Sequence, residues 1–110
     1  MSTPRVRQTM KPLQRLKEHN TKGNLWIYIL SLLCQEGKIH AWLLQSLIKE
    51  SFGFQPGQIT AYRVLYRLEK EGLVKSKMEK RRRIYQITKQ GEKELELAKK
   101  FYREVLKKIA

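Results

Sequence analysis

The run Leu25-Trp26-Ile27-Tyr28-Ile29-Leu30-Ser31-Leu32-Leu33-Cys34 is apolar on nearly every side of a helix, in a chain of only 110 residues. A helix on the surface of a globular protein carries one apolar stripe, whereas one that is apolar all round is buried on several sides. The run falls well short of the roughly 20 residues needed to span a bilayer, so no membrane role is expected. It therefore predicts a central helix with the remaining elements packed around it. A chain of this length builds one modest core, and one side of such a helix can be covered by a second subunit. Asn24 stands at its start as an N-cap, and Glu36-Gly37-Lys38 ends it.

The flanking segments read as further short elements. Pro12 suits the first turn of a helix carrying Leu13 and Leu16, which Asn20-Thr21-Lys22-Gly23 breaks. Ile39 to Ser51 has Ile39, Leu43, Leu44, Leu47 and Ile48 at helical spacing. Gln55-Pro56-Gly57 opens a further helix that runs to Gly72, with Ile59, Tyr62, Leu65, Tyr66 and Leu68 as its expected packing stripe. Its other face then presents Gln58, Thr60, Ala61, Arg63, Val64, Arg67 and Lys70. After Leu73 the period changes to two: Val74, Ser76 and Met78 alternate with Lys75 and Lys77, and Ile84, Tyr85 and Ile87 are β-formers. Glu79 to Arg82 becomes the tip of a hairpin, without the Gly or Asn that usually marks one. Thr88 caps a last helix from Lys89 to about Ile109. On it Leu95, Ala98, Tyr102, Val105 and Ile109 recur at intervals of 3, 4, 3 and 4.

Charge narrows the partners. The net charge is +14, and all ten acidic residues are Glu. Met1 to Lys22 holds six basic residues against one Glu, and Leu73 to Arg83 again six against one. The stretch from Gly23 to Gly72 is nearly neutral. Lys80-Arg81-Arg82-Arg83 has no interleaved acid, an arrangement that repels itself unless an anion relieves it. A solubilising lysine-rich surface is the plainer reading, although such surfaces usually mix both signs. A single Cys excludes an internal disulfide and a thiolate zinc cage. Two His and no Asp make a poor metal site. No nucleophile–base pair, phosphate loop or cofactor motif is present, so an enzyme is not expected.

Helices followed by a basic β-hairpin compose a mainly α (α+β) winged helix-turn-helix with a two-stranded wing. The helix before the wing has the width to enter a DNA major groove, and the hairpin tip reaches the neighbouring backbone. The expected double-stranded DNA contacts are Gln58, Thr60, Arg63 and Arg67 on the helix and Lys80, Arg81, Arg82 and Arg83 on the wing. Arg67 paired with Glu71 on a solvated helix face is the alternative, as is a solvated turn for the wing. Tyr62 and Tyr66 are expected to pack. The last helix, about 30 Å long at 1.5 Å per residue, is too long to be covered by so small a body. Trp26, Leu95, Ala98, Tyr102, Val105 and Ile109 are its expected homodimer contacts, the fold-back of that helix on its own domain being the alternative. The chain thus divides into a basic arm and short helix (1–22), a DNA-binding domain (23–88) and a dimerisation helix (89–110). Cys34 reads as a buried small hydrophobe, His40 as structural and His19 as a surface residue. Trp26 and Trp42 read as core or interface packing, with an aromatic-ligand site between subunits as the alternative.

Several of these segments resemble the PadR-like transcriptional regulators. The resemblance rests on Leu25, on Ile39-His40-Ala41-Trp42, on the block from Tyr62 to Val74 (YRVLYRLEKEGLV) and on Tyr85-Gln86-Ile87-Thr88-Lys89-Gln90-Gly91. It spans Gly23 to Gly91. The Leu-Glu-x-x-Gly-Leu portion alone recurs across many winged-helix families. The resemblance implies a homodimeric DNA-binding repressor with a C-terminal dimerisation helix, working in the cytoplasm at the nucleoid. Some relatives bind small aromatic ligands between subunits. Ala41 stands where the family has Gly, and the wing is short and lacks Gly. An architectural DNA-binding protein of low sequence preference and a protein-interaction adaptor are the rival functions.

Overall fold

A computed structural model describes residues 11–110, so the part of the expected basic arm that falls in residues 1–10 lies outside the described residues. The elements are α1 (Pro12–Asn20), a 3-10 turn (Lys22–Asn24), α2 (Leu25–Glu36), β1 (Ile39–His40), a second 3-10 turn (Ala41–Leu43), α3 (Leu44–Phe52), α4 (Gln58–Lys70), β2 (Val74–Glu79), β3 (Arg82–Ile87) and α5 (Lys89–Lys108).

As its composition demands, α2 is the centre of the molecule. Leu25, Ile29, Leu30, Leu32 and Leu33 are all buried, and α3, α4, α5 and β3 pack around it. Cys34 does not join them. It is exposed, which corrects the expectation of a buried residue, because the side of α2 turned to the core at this end is taken by Leu32 and Leu33. Partial shielding of its sulfur, with Glu92 and Glu96 nearby, pushes the thiol above its ordinary pKa, while Lys99 opposes the shift. Asn24 precedes α2 but makes no cap for it. Its amide instead donates backwards to the carbonyl of His19 at 2.6 Å. Together with Thr21 on Lys17, it satisfies carbonyls that the end of α1 leaves without helical partners, and the Asn20 amide adds a bond to the Leu16 carbonyl.

Ile39-His40 is a strand rather than the start of a helix. Ile39 lies opposite Tyr85 and His40 opposite Ile84, giving a three-stranded antiparallel sheet in the order β1-β3-β2. The free edge of β3 supplies the pairing, a long-range partner that local apolar spacing cannot reveal.

The junctions around α4 set its position. Pro56 is buried, and Gln45 of α3 donates to its carbonyl at 2.6 Å, fixing the turn between the two helices. At the far end Gly72 takes φ 79°, Leu73 N–H donates to Leu68 and Gly72 N–H to Glu69. This double bond pattern closes the helix and turns the chain into the wing. Thr88 then serves three purposes. Its hydroxyl accepts from Gly91 N–H as the cap of α5, it donates to the Gly72 carbonyl at 2.7 Å, and its own N–H binds Leu73. Gly91 is buried here, and a Cβ on it would be driven into the Leu73 carbonyl and Ile87.

Helix α5 lies back along its own domain. Leu95 is buried to 3% exposure in the common core, Ala98, Tyr102 and Val105 are half-buried, and the Tyr102 hydroxyl donates to Asn20 Oδ1 at 2.8 Å. Leu97, Phe101, Leu106 and Ile109 remain exposed. The inner half of the heptad stripe is therefore used within the chain. No helix of the described residues is long and apolar enough to cross a membrane.

Candidate nucleic-acid interface

The packing face of α4 is made by Ala61, Leu65 and Leu68, with Val64 half-buried beside them. Ile59, Tyr62 and Tyr66 are exposed, which corrects the expected stripe. Two apolar frames overlap on this helix, and the one through Ala61, Leu65 and Leu68 is the one turned to the core, with Val64 at its side. Counting 3.6 residues per turn, the face opposite that packing carries Ile59, Arg63, Tyr66, Arg67 and Lys70. Lys70 lies over the Tyr66 ring with Nζ 5.5 Å from the centroid. Gln58 donates to the Tyr62 hydroxyl at 3.2 Å, and Thr60 is exposed beside it.

The wing is a two-residue hairpin. Glu79 pairs with Arg82, leaving Lys80 (φ 49°) and Arg81 (φ 65°) as the tip. Positive φ at both positions is the type I′ geometry, whose twist matches the strands on either side. Holding two side-chain-bearing residues there costs about 1 kcal/mol or more each, so the tip keeps two cations where glycine would be easier. The tip is therefore narrower than the four residues expected.

The four basic wing residues have different surroundings. Lys80 and Arg81 project from the tip. Arg82 lies over the Trp42 ring, 4.8 Å from its centroid, which orients the guanidinium and shields one face of an otherwise half-exposed indole. Arg83 donates to Ser76 Oγ at 2.9 Å, and Ser76 donates in turn to Glu69 Oε2 of α4 at 2.7 Å. Among the described residues, the charged groups of Arg63, Arg67, Lys75, Lys77, Lys80 and Arg81 have no ion-pair or hydrogen-bond partner. The Arg67–Glu71 pair allowed by the sequence does not form.

Three groups here were missed by sequence reasoning. Trp42 packs against the wing, Ser76 and Glu69 bridge wing to helix, and Ile59 and Tyr66 lie among the cations. Only the last left a local signal, since Ala61, Leu65 and Leu68 define an alternative stripe that excludes them. Trp26 and Trp42 are not neighbours in a common site. Trp26 lines clefts with Lys22, Arg67 and Glu71 and with Leu97 and Phe101, whereas Trp42 lies beside the wing. No group of three or more His, Cys or Glu able to hold a metal occurs among the described residues.

A second surface lies away from the wing. Leu16, Ile27, Tyr28, Phe101, Val105 and Ile109 line an open apolar groove of about 790 Å³ between α1, α2 and α5. Of its lining, Leu16, Phe101, Leu106 and Ile109 are each well exposed, as is Leu13 elsewhere on α1.

Two helices joined by a tight turn, the second followed directly by a cationic antiparallel hairpin, define a winged helix-turn-helix protein. The chain belongs to the PadR-like family of transcriptional regulators, whose family model matches residues 29–97. It is similar to a transcriptional regulator from Clostridium thermocellum, with 30% identity over 79% of this chain and 90% of that one and a TM-score of 0.71. A PadR family transcriptional regulator from Eggerthella lenta shares the fold at 20% identity, with 88% of each chain covered and a TM-score of 0.76. A winged-helix DNA-binding protein from STIV also shares the fold at 21% identity, covering 77% of this chain and 92% of that one, with a TM-score of 0.69. No curated protein matches the chain.

Proposed function

We propose that the protein is a sequence-specific, double-stranded DNA-binding transcriptional regulator that acts as a homodimer and represses by occupying its operator, in the cytoplasm at the nucleoid. It is a binding protein and not an enzyme. Residues 23–88 form the DNA-binding domain, with α4 entering the major groove and the wing tip on the adjacent backbone, and residues 89–110 serve the dimer. The observation that carries this reading is the set of unpaired cations on the outer face of α4 and on the wing. Arg63 and Arg67 suit guanine edges or phosphate, Gln58 and Thr60 stand at the helix start where base edges are reached, and Lys80 and Arg81 suit phosphate. Arg82 and Arg83 contribute charge from oriented positions.

The exposed apolar rim of α1 and α5 supports the dimer. A patch of this kind marks an interaction surface, and a symmetric pair places two copies of α4 about one helical turn of DNA apart. Of the expected contacts, Ile109 lies on this rim and Val105 and Tyr102 in its groove, whereas Leu95 is consumed by the core.

The test is selection of bound sequences from a random duplex pool, followed by affinity against salt concentration. A recovered consensus, steep salt dependence, and a slope reduced by about 0.9 for each phosphate-contacting cation removed support the reading. Equal affinity for random duplex would favour an architectural protein, and absence of duplex binding at moderate salt would refute both.

A further inference from the structure

We propose that Ile59 reads the 5-methyl group of a thymine in the major groove, so that one thymine in each half-site is recognised by apolar contact. This rests on the reading of α4 as the groove-entering helix.

At 75% exposure Ile59 is the most exposed large apolar side chain of the described residues. It is the second residue of α4, whose N-terminal turn is where recognition helices meet base edges. Nothing in its own chain asks for an isoleucine there: the inward face of α4 is filled by Ala61, Leu65 and Leu68. The apolar groove of α1, α2 and α5 does not include it. Its companions on the outer face are Arg63, one turn along, then Tyr66, Arg67 and Lys70, and this cationic setting suits a polyanion better than an apolar protein surface. On a duplex, the apolar feature of the major-groove edge is the thymine methyl. Ile59 matches it in size and polarity, while Gln58 and Thr60 on either side keep hydrogen-bonding groups for neighbouring edges.

The closing experiment uses the full chain and a duplex recovered from the random pool. Each thymine in turn is replaced by uracil, which keeps every hydrogen-bonding group and removes only the methyl. Burial of one methyl group corresponds to about a fourfold change in affinity. The expected result is one position per half-site at which uracil weakens wild-type binding about fourfold. Ile59→Ala should bind the thymine duplex about fourfold more weakly, be indifferent to uracil at that position, and keep the wild-type salt slope. The assignment is overturned if no uracil position matters, if Ile59→Ala responds to uracil as wild type does, or if Ile59→Ala changes the mass of the protein in solution, which would make Ile59 a subunit contact. Failure to recover any duplex would overturn both the DNA-binding reading and this one.

Discussion

Ser76, in the middle of the wing, donates its hydroxyl hydrogen bond to Glu69 on the last turns of α4 at 2.7 Å. The same oxygen accepts from Arg83 at 2.9 Å, so one small side chain joins three elements of the interface. The relay ties the wing to α4 and engages the Arg83 guanidinium within the chain. Ser76→Ala should therefore cost about 0.5–1.5 kcal/mol of stability and weaken DNA binding without changing the salt slope, because no phosphate contact is lost. Glu69→Gln keeps an acceptor for Ser76 and should retain most of the binding. A drop of about one phosphate contact in the slope of Ser76→Ala would show that Arg83 contacts DNA through this arrangement.

The wing tip trades stability for charge. Arg81→Gly places at φ 65° the residue that adopts this conformation without strain. The variant should be about 0.5–1 kcal/mol more stable, visible as a Tm higher by several degrees. It should bind DNA more weakly with a shallower salt dependence, since a cation has left the tip. Thermal unfolding and binding of one protein sample check the two opposite signs together.

Gly91 is required by contact rather than by dihedral angle. A Cβ at this position meets the Leu73 carbonyl and Ile87, so α5 would have to lift from the wing base. Gly91→Ala should cost at least about 2 kcal/mol, lowering Tm by about 10 °C. An unchanged Tm would mean that the Thr88 cap and the Leu73 backbone are not in the contact described.

The exposed residues of α5 separate assembly from folding. Phe101 is 62% exposed and Leu106 66% exposed, so Phe101→Glu with Leu106→Glu should leave the monomer folded and halve the mass in solution. Leu95→Glu introduces an unpaired carboxylate into the core and should unfold the chain whatever its assembly state. Light scattering with circular dichroism distinguishes the two outcomes. A folded double variant of unchanged mass would place the subunit interface elsewhere or leave the protein monomeric.

How much was legible follows from the range of each interaction. The nearly all-apolar run Leu25 to Cys34 demanded a central helix, the change from helical to alternating period at Leu73 demanded a wing, and Thr88 marked the start of α5. These are local patterns, set by solvent exclusion along one element and by capping geometry, and they needed no knowledge of neighbours. The cationic character of the hairpin end was equally local, whereas the pairing of Glu79 with Arg82, which leaves only Lys80 and Arg81 as the tip, was not.

Tertiary structure decided what depends on a distant partner. Ile39-His40 became a strand only because β3 offered an open edge. Apolar spacing on α4 allowed two phases, and packing against the common core took Ala61, Leu65 and Leu68, leaving Ile59 and Tyr66 outward among the arginines. Leu95 went to the core while Phe101 stayed outside, because the angle at which α5 lies on the domain determines which side of its apolar stripe is covered. Periodicity records that a side chain is apolar and on which side of its helix it lies, but burial is settled by the surface that arrives to meet it.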